Sequence, residues 1–322
     1  LVDKWELFIL RIYKSYCKNI YVSGSNAQML SRELSSALRG WPLEYEEFPL
    51  SFNEFCRFKN IKTNGFTEID RIRLKNAFME FNHSSAFPEV VLIPEKSMKD
   101  RKLQGYFNTM LFRDLIEHYQ LNNPEVVRYF LKRVMANLSK PTSINSIFND
   151  LKSQGLKVGK DKLYELAEHC CSIFLFFRVP KYDRSMIKEN SSLPKYYCID
   201  NGIRNAVLLP QSDDDGKLLE NTVFLALRRV LKPCDKILYF QGTKECDFVV
   251  QQNDQIVHLI QVTWDMRDKE TRKREIDGIV EASRVTGCDS LIILTNNEEG
   301  EITEEGKTIK ILPVWKWLLF QE

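Results

Sequence analysis

The stretch from Gly216 to Trp264 constrains the fold of this chain more than any other. It opens with GKLLENTVFLALRRVL, whose apolar residues (Leu218, Leu219, Val223, Phe224, Leu227, Leu231) predict a largely buried helix. Three β-rich runs follow. The second and third, Cys246–Gln251 and Gln255–Trp264, flank the polar turn Gln252-Asn253-Asp254, which predicts a hairpin. Such a hairpin is marginal alone and needs further strands or a covering helix. The chain supplies both. Lys269–Val285 is an amphipathic helix pattern stopped at Gly287, and Ser290–Thr295 and Ile309–Val314 are short apolar runs. A hairpin followed by a crossover helix and another strand gives an α/β region with a mixed sheet.

Polar residues fall at set points of this frame. Glu220 lies early in the helix and Asp247 opens a hairpin strand. Gln261 and Thr263 lie two apart on the next strand, so they share a face. The layout resembles restriction-endonuclease-like cores, the PD-(D/E)XK nucleases. In that chemistry two carboxylates hold a hard divalent cation against the scissile phosphate, and a lysine stabilises charge or positions the attacking water. The resemblance implies Glu220 and Asp247 as the catalytic and metal-binding acids. Gln261 stands in place of the third acid and Thr263 in place of the lysine. Losing one preorganised electrostatic group costs a factor of roughly 10²–10³ in rate, so the expectation is a retained scaffold with a degenerate site. The ordinary alternative is that Glu220 caps or pairs locally and Asp247 merely starts a strand.

The middle of the chain is basic. Residues 101–190 hold 15 Lys and Arg against 9 Asp and Glu, although the whole chain is only +2. Ser143 as N-cap before Ile144–Gln154, Gly155 as its stop, and Val158 leading into Lys160–Ile173 form a winged-helix signature, with Phe174–Val179 and Lys195–Ile199 as the wing strands. Lys157, Lys160 and Lys162 are placed to touch DNA phosphates. Glu165 and Glu168 on the same helix oppose that, and winged helices also serve to join domains. The eight cysteines lack a C-x-x-C pair and the four histidines stand apart, which argues against a zinc site and a disulfide framework. Without an apolar run of about 18 residues, the chain is expected to be soluble and cytoplasmic, with no membrane partner.

At the start, YVSGSNAQMLSRELSSALRG leads to LEYEEFPLSFNEF. This run is similar to the second half of the AAA+ ATPase module of a large bacterial and archaeal family, whose C-terminal region is of unknown function. YCIDNG, KLLENTVF and ECDFVV extend the resemblance along the chain. It implies nucleotide sensing by Asn26, and by Arg39 where the family has Gly-Arg and this chain Gly40-Trp41. It also implies ATP with Mg²⁺ as cofactor of a longer protein and self-association through the AAA module. The 322 residues contain no G-x-x-x-x-G-K-[ST] and no acidic strand end for the metal, so they read as a fragment of a longer ATPase.

The expected organisation is α/β and α+β multidomain: a partial AAA+ α/β module over 1–95, a helical winged-helix domain over 96–190, and a PD-(D/E)XK-like mixed-sheet domain over 191–322. Three functions compete. One is the body of a regulatory ATPase with an inactive nuclease-like domain that binds DNA or protein. The second is a metal-dependent DNA nuclease, and the third is an interaction module without a nucleic-acid ligand.

Overall fold

A computed structural model describes residues 5–24, 43–64, 67–209 and 214–320. Within them the chain is a mixed α/β structure. The first described helix is Trp5–Ser15, none of whose residues is buried. Residues 19–23 and 43–48 form no strand. A strand exists only with a partner for its backbone groups, and none of the described strands pairs with either segment. Ser51 then starts Phe52–Phe58 with a reciprocal capping box: its side chain accepts from Glu54 N, and the Glu54 carboxylate accepts from Ser51 N at 2.7 Å. Glu68–His83 and the short Pro88–Val91 follow.

The middle of the chain is helical. Lys96–Thr109 widens into a π-helical Met110–Glu117, and Pro124–Ala136 is capped by Asn123 with proline in its first turn. Ile144–Ser153 is capped by Ser143, and Gly155 beyond its end takes φ +77°. Lys160–Ser172 follows. The helices share a core that includes Leu111, Leu115, Phe130, Leu131 and Leu163. Two strands complete this part, β1 (Phe176–Val179) and β2 (Lys195–Cys198), paired antiparallel from Phe176/Cys198 to Val179/Lys195. Met186–Ser191 is a helix between them. The boundary expected between 190 and 191 therefore falls inside a paired hairpin. All four β2 residues are buried, Lys195 included.

The last part is a six-stranded mixed sheet in the order β3-β4-β5-β6-β8-β7, formed by Lys236–Gln241, Glu245–Gln252, Gln255–Val262, Leu291–Thr295, Lys307–Pro313 and, for β7, Gly300–Glu304. Strands β3, β4 and β5 are antiparallel neighbours; β5, β6 and β8 run parallel, and β7 returns antiparallel. The expected hairpin and crossover helix are both present, the helix as Lys269–Thr286 with Gly287 at φ +75°. Strand β7 was not expected from the sequence. It is a charged, largely exposed edge, which discourages pairing with another chain. The helices Asp214–Val230 and Val314–Leu318 pack in one core with Phe248 and Ile260, and Lys269–Thr286 packs in another with Val249 and Leu259.

The middle part is joined to the sheet part by buried polar bonds. Asn221 accepts from Cys198 N and donates to Cys198 O, so it grips the end of β2 from the Asp214–Val230 helix. Asn201 donates to Thr222 and to the carbonyls of Asn82 and Leu218. Asp200 caps Asn201–Val207 through Ile203 N and also accepts from Ala86 N. A Cβ on Gly202 would stand 2.6 Å from the Ser85 backbone nitrogen. The Asp200-Asn201-Gly202 turn is thus a joint, with each residue type required by a contact.

Candidate functional site

A cluster of ionisable side chains sits where β4 begins and β5 ends. Asp247 lies one residue before the Phe248/Ile260 pair and Gln261 one residue after it. Glu220 comes from the first half of the Asp214–Val230 helix, which lies over this end of the sheet. At the centre stands Lys195 of β2. Its Nζ is 3.0 Å from Glu220 Oε1, 3.1 Å from Asp247 Oδ1 and 2.5 Å from Glu245 Oε1. Nζ donates hydrogen bonds to Glu220 and Asp247 and forms an ion pair with Glu245. The Tyr239 ring centroid is 5.4 Å from the same nitrogen.

The remaining bonds fix the carboxylates. Tyr197, two residues on from Lys195, donates its hydroxyl to Glu220 Oε1 at 2.6 Å. Asp247 Oδ2 accepts from Val262 N at 2.9 Å. Gln261 directs its carbonyl oxygen to Asp247 N at 3.1 Å and its amide to Glu275 Oε2 at 2.5 Å. Glu275, on the Lys269–Thr286 helix, is paired with Arg274. Thr263 takes no part in these bonds; its hydroxyl turns to the Asp265 carbonyl at 3.4 Å. The structure therefore brings Glu220, Asp247 and Gln261 into one network and leaves Thr263 at its margin.

Four carboxylates, Glu220, Glu245, Asp247 and Glu275, face two cations, Lys195 and Arg274. Burial, with the charge of Asp247 beside it, pushes Glu220 up to about 8 against the pull of Lys195. Burial also raises Glu245 and Glu275. Burial pulls the Lys195 ammonium down, but Glu220, Tyr197, Asp247 and Glu245 together carry it well above the ordinary lysine range. The ammonium is thus permanent, and the excess of acid is relieved by protons on carboxylates.

This donor set does not fit a divalent cation as it stands. The point where three acidic oxygens converge is filled by Nζ, the second oxygen of Asp247 is bonded to Val262 N, and the oxygen of Gln261 is turned to the backbone. Among the described residues no group of three or more His, Cys, Asp or Glu is arranged to hold a metal ion.

The other expected sites are elsewhere. Asn26 and Arg39 lie outside the described residues. Lys157, Lys160 and Lys162 are exposed around the start of Lys160–Ser172, with Lys162 tied to Glu165 at 2.6 Å. No helix among the described residues is long and apolar enough to cross a membrane. Sequence reasoning missed Lys195, Glu245 and Tyr197. Glu245 could have been found, because it stands two before Asp247 on one strand. Lys195 offered only a lysine opening an otherwise apolar strand.

Comparison with known proteins gives two regional matches and two relatives. Residues 1–56 match an AAA domain, and residues 78–214 match a domain of unknown function (DUF8612). An uncharacterized protein of Methanocaldococcus jannaschii is 32% identical over 328 residues, covering 99% of this chain and 72% of that protein. An uncharacterized protein of Haemophilus influenzae is 25% identical over 321 residues, covering 99% of this chain and 75% of the relative. No solved structure matches the chain significantly.

Proposed function

Because this chain belongs to the family of the uncharacterized Methanocaldococcus jannaschii protein and opens with an AAA-type segment, we infer that it is the C-terminal body of an AAA-type regulatory ATPase. In this reading the six-stranded domain is a PD-(D/E)XK-like scaffold used for binding, the middle is a winged-helix domain that contacts DNA, and the AAA module mediates self-association in the cytoplasm. ATP with Mg²⁺ belongs to the whole module. The present residues contain no G-x-x-x-x-G-K-[ST] sequence.

The observation that carries this reading is a clamp between the end of the AAA-type segment and the helix that holds Glu220. Arg229 lies with its guanidinium 5.5 Å from the Phe48 ring centroid, donates to Pro49 O, and reaches Glu54 at 3.4 Å. Arg228 pairs with Glu46. Leu50 N donates to Ala86 O at 2.8 Å. Residues 43–51 are therefore a strap fastened to the far end of the helix over the acid cluster. A change in the AAA module would pull on that helix.

The second reading, a metal-dependent DNA nuclease, has one observation in its favour. A lysine lies within hydrogen-bond reach of both Glu220 and Asp247, supplied by β2 instead of by position 263. Incubation of plasmid with excess protein and Mg²⁺ or Mn²⁺ separates the two. The regulatory reading expects intact plasmid together with DNA binding that weakens steeply with salt. Metal-dependent nicking that disappears in Asp247→Asn would replace it with the nuclease.

A further inference from the structure

We propose that the Lys195 ammonium is the resident cation of the acid cluster, a tethered positive charge that stands where a divalent metal would bind and keeps metals out. This rests on the nuclease-like reading of the scaffold and explains why that scaffold is not catalytic.

The argument begins with convergence. Oxygens of Glu220, Glu245 and Asp247 come from a helix and two positions of one strand, and all three point at a single atom 2.5–3.1 Å away. Converging carboxylate oxygens from separate elements are what a hard cation requires, at 2.0–2.1 Å for Mg²⁺ by general geometry. The occupant here is covalently part of the chain. It is wholly buried, belongs to a strand paired with β1, and has Asn221 holding both backbone groups of Cys198 three residues on. It is not a mobile surface lysine folding into a vacant site. Its Nζ donates to Glu220 and Asp247 and is ion-paired with Glu245, so its charge is shared by all three neighbouring carboxylates. A catalytic lysine has to offer a hydrogen to a substrate or an attacking water, whereas Lys195 is directed at three carboxylates of its own chain. A tethered ammonium also binds without a concentration term, so a free dication has to displace a charge that never leaves.

The same geometry says what happens when the charge is removed. Without it, three buried acids face each other with no fixed counter-charge, a state relieved by further protons on the carboxylates or by another cation, and metal binding tells the two apart. Lys195→Met keeps the length of the side chain and removes the charge. Mn²⁺ binding is followed by electron paramagnetic resonance, and the melting temperature is recorded with and without Mn²⁺, for the wild-type chain, Lys195→Met and Asp247→Asn. The wild type is expected to bind no Mn²⁺ at this cluster at millimolar metal. Lys195→Met is expected to melt lower without metal, bind one Mn²⁺ per chain, and gain at least about 3 °C from it.

If Lys195→Met does not fold alone, the double variant Lys195→Met/Glu220→Gln, with one acid fewer, carries the same measurement. Mn²⁺ bound by the wild type and lost in Asp247→Asn overturns the proposal. So does a folded Lys195→Met or double variant that binds none, and so does failure of both variants to fold in Mn²⁺, since the ammonium is then not replaceable by a metal. The plasmid assay stays a separate readout. Wild-type metal binding without cleavage sinks this proposal and leaves the regulatory reading standing, whereas cleavage sinks both. Loss of the expected DNA binding touches only the regulatory reading.

Discussion

Glu220 shows how much one buried carboxyl contributes to the pH behaviour of the whole chain. Its ordinary value is 4.5, and in the folded protein burial and Asp247 bring it to about 8. Between those values the folded state binds a proton that the unfolded state releases. Stability from this group is therefore complete below about pH 4.5 and is lost as pH rises through about 8, at no more than about 1.4 kcal/mol per pH unit. Asp200, raised to about 6 by burial, adds a loss in the lower half of the same window. Glu220→Gln keeps an acceptor for Tyr197 and Lys195 but cannot ionise. Melting temperatures taken from about pH 5 to 8 should decline in the wild type and decline less in Glu220→Gln, with the difference growing steadily across that range. Equal slopes would mean that Glu220 is ionised throughout. At this scale the sequence discloses the acids on regular elements but not their counter-charge. Glu220 and Asp247 are visible because helix and hairpin patterns place them. Lys195 is 25 residues from one and 52 from the other, and no periodicity relates a strand in one part to a cluster in the next.

The elements with strong local signals were legible, and the exceptions have physical reasons. Ser143, Pro124, Gly155 and Gly287 mark helix ends because their side chains, or lack of one, solve the problem of unpaired backbone groups. The hairpin is readable from its turn, where Asn253 and Asp254 take φ of 47° and 63°. Strand β7 was not readable, since an edge strand carrying Glu301 and Glu304 has no apolar alternation. The strap 43–51 was visible as a motif, yet nothing in it said where it would dock. That information lies in Arg228 and Arg229, 180 residues away from Pro49 in the second case. The two arginines are not equivalent. Arg228 makes a half-exposed ion pair, whereas Arg229 combines a ring contact with a bond to a main-chain carbonyl. Arg229→Ala is expected to cost roughly 1–2 kcal/mol and to speed protease nicking within 43–51 several-fold. Arg228→Ala should cost roughly 0–1 kcal/mol and nick near the wild-type rate. Parallel behaviour of the two would mean that the strap is held by charge alone.

Charge is unevenly distributed over the molecule, and this decides where a polyanion would bind. Residues 101–190 carry an excess of six positive charges while the chain as a whole carries two, so the rest is net acidic. A polyanion attracted at long range would thus be directed to the helical middle and away from the sheet part, whose acid cluster is buried. Within the middle, Lys157 and Lys160 stand exposed at the start of Lys160–Ser172, while Lys162 is paired with Glu165. Each phosphate contact contributes close to one unit to the slope of log affinity against log salt, because each releases about one condensed counterion. Lys157→Glu/Lys160→Glu should therefore reduce that slope by about 2 while leaving the melting temperature near the wild-type value. Fluorescence anisotropy with a short duplex at several salt concentrations measures the slope. An unchanged slope would show that the basic face is solvated surface. The middle part would then serve to deliver Lys195 to the acid cluster and to hold the AAA-type segment against the sheet.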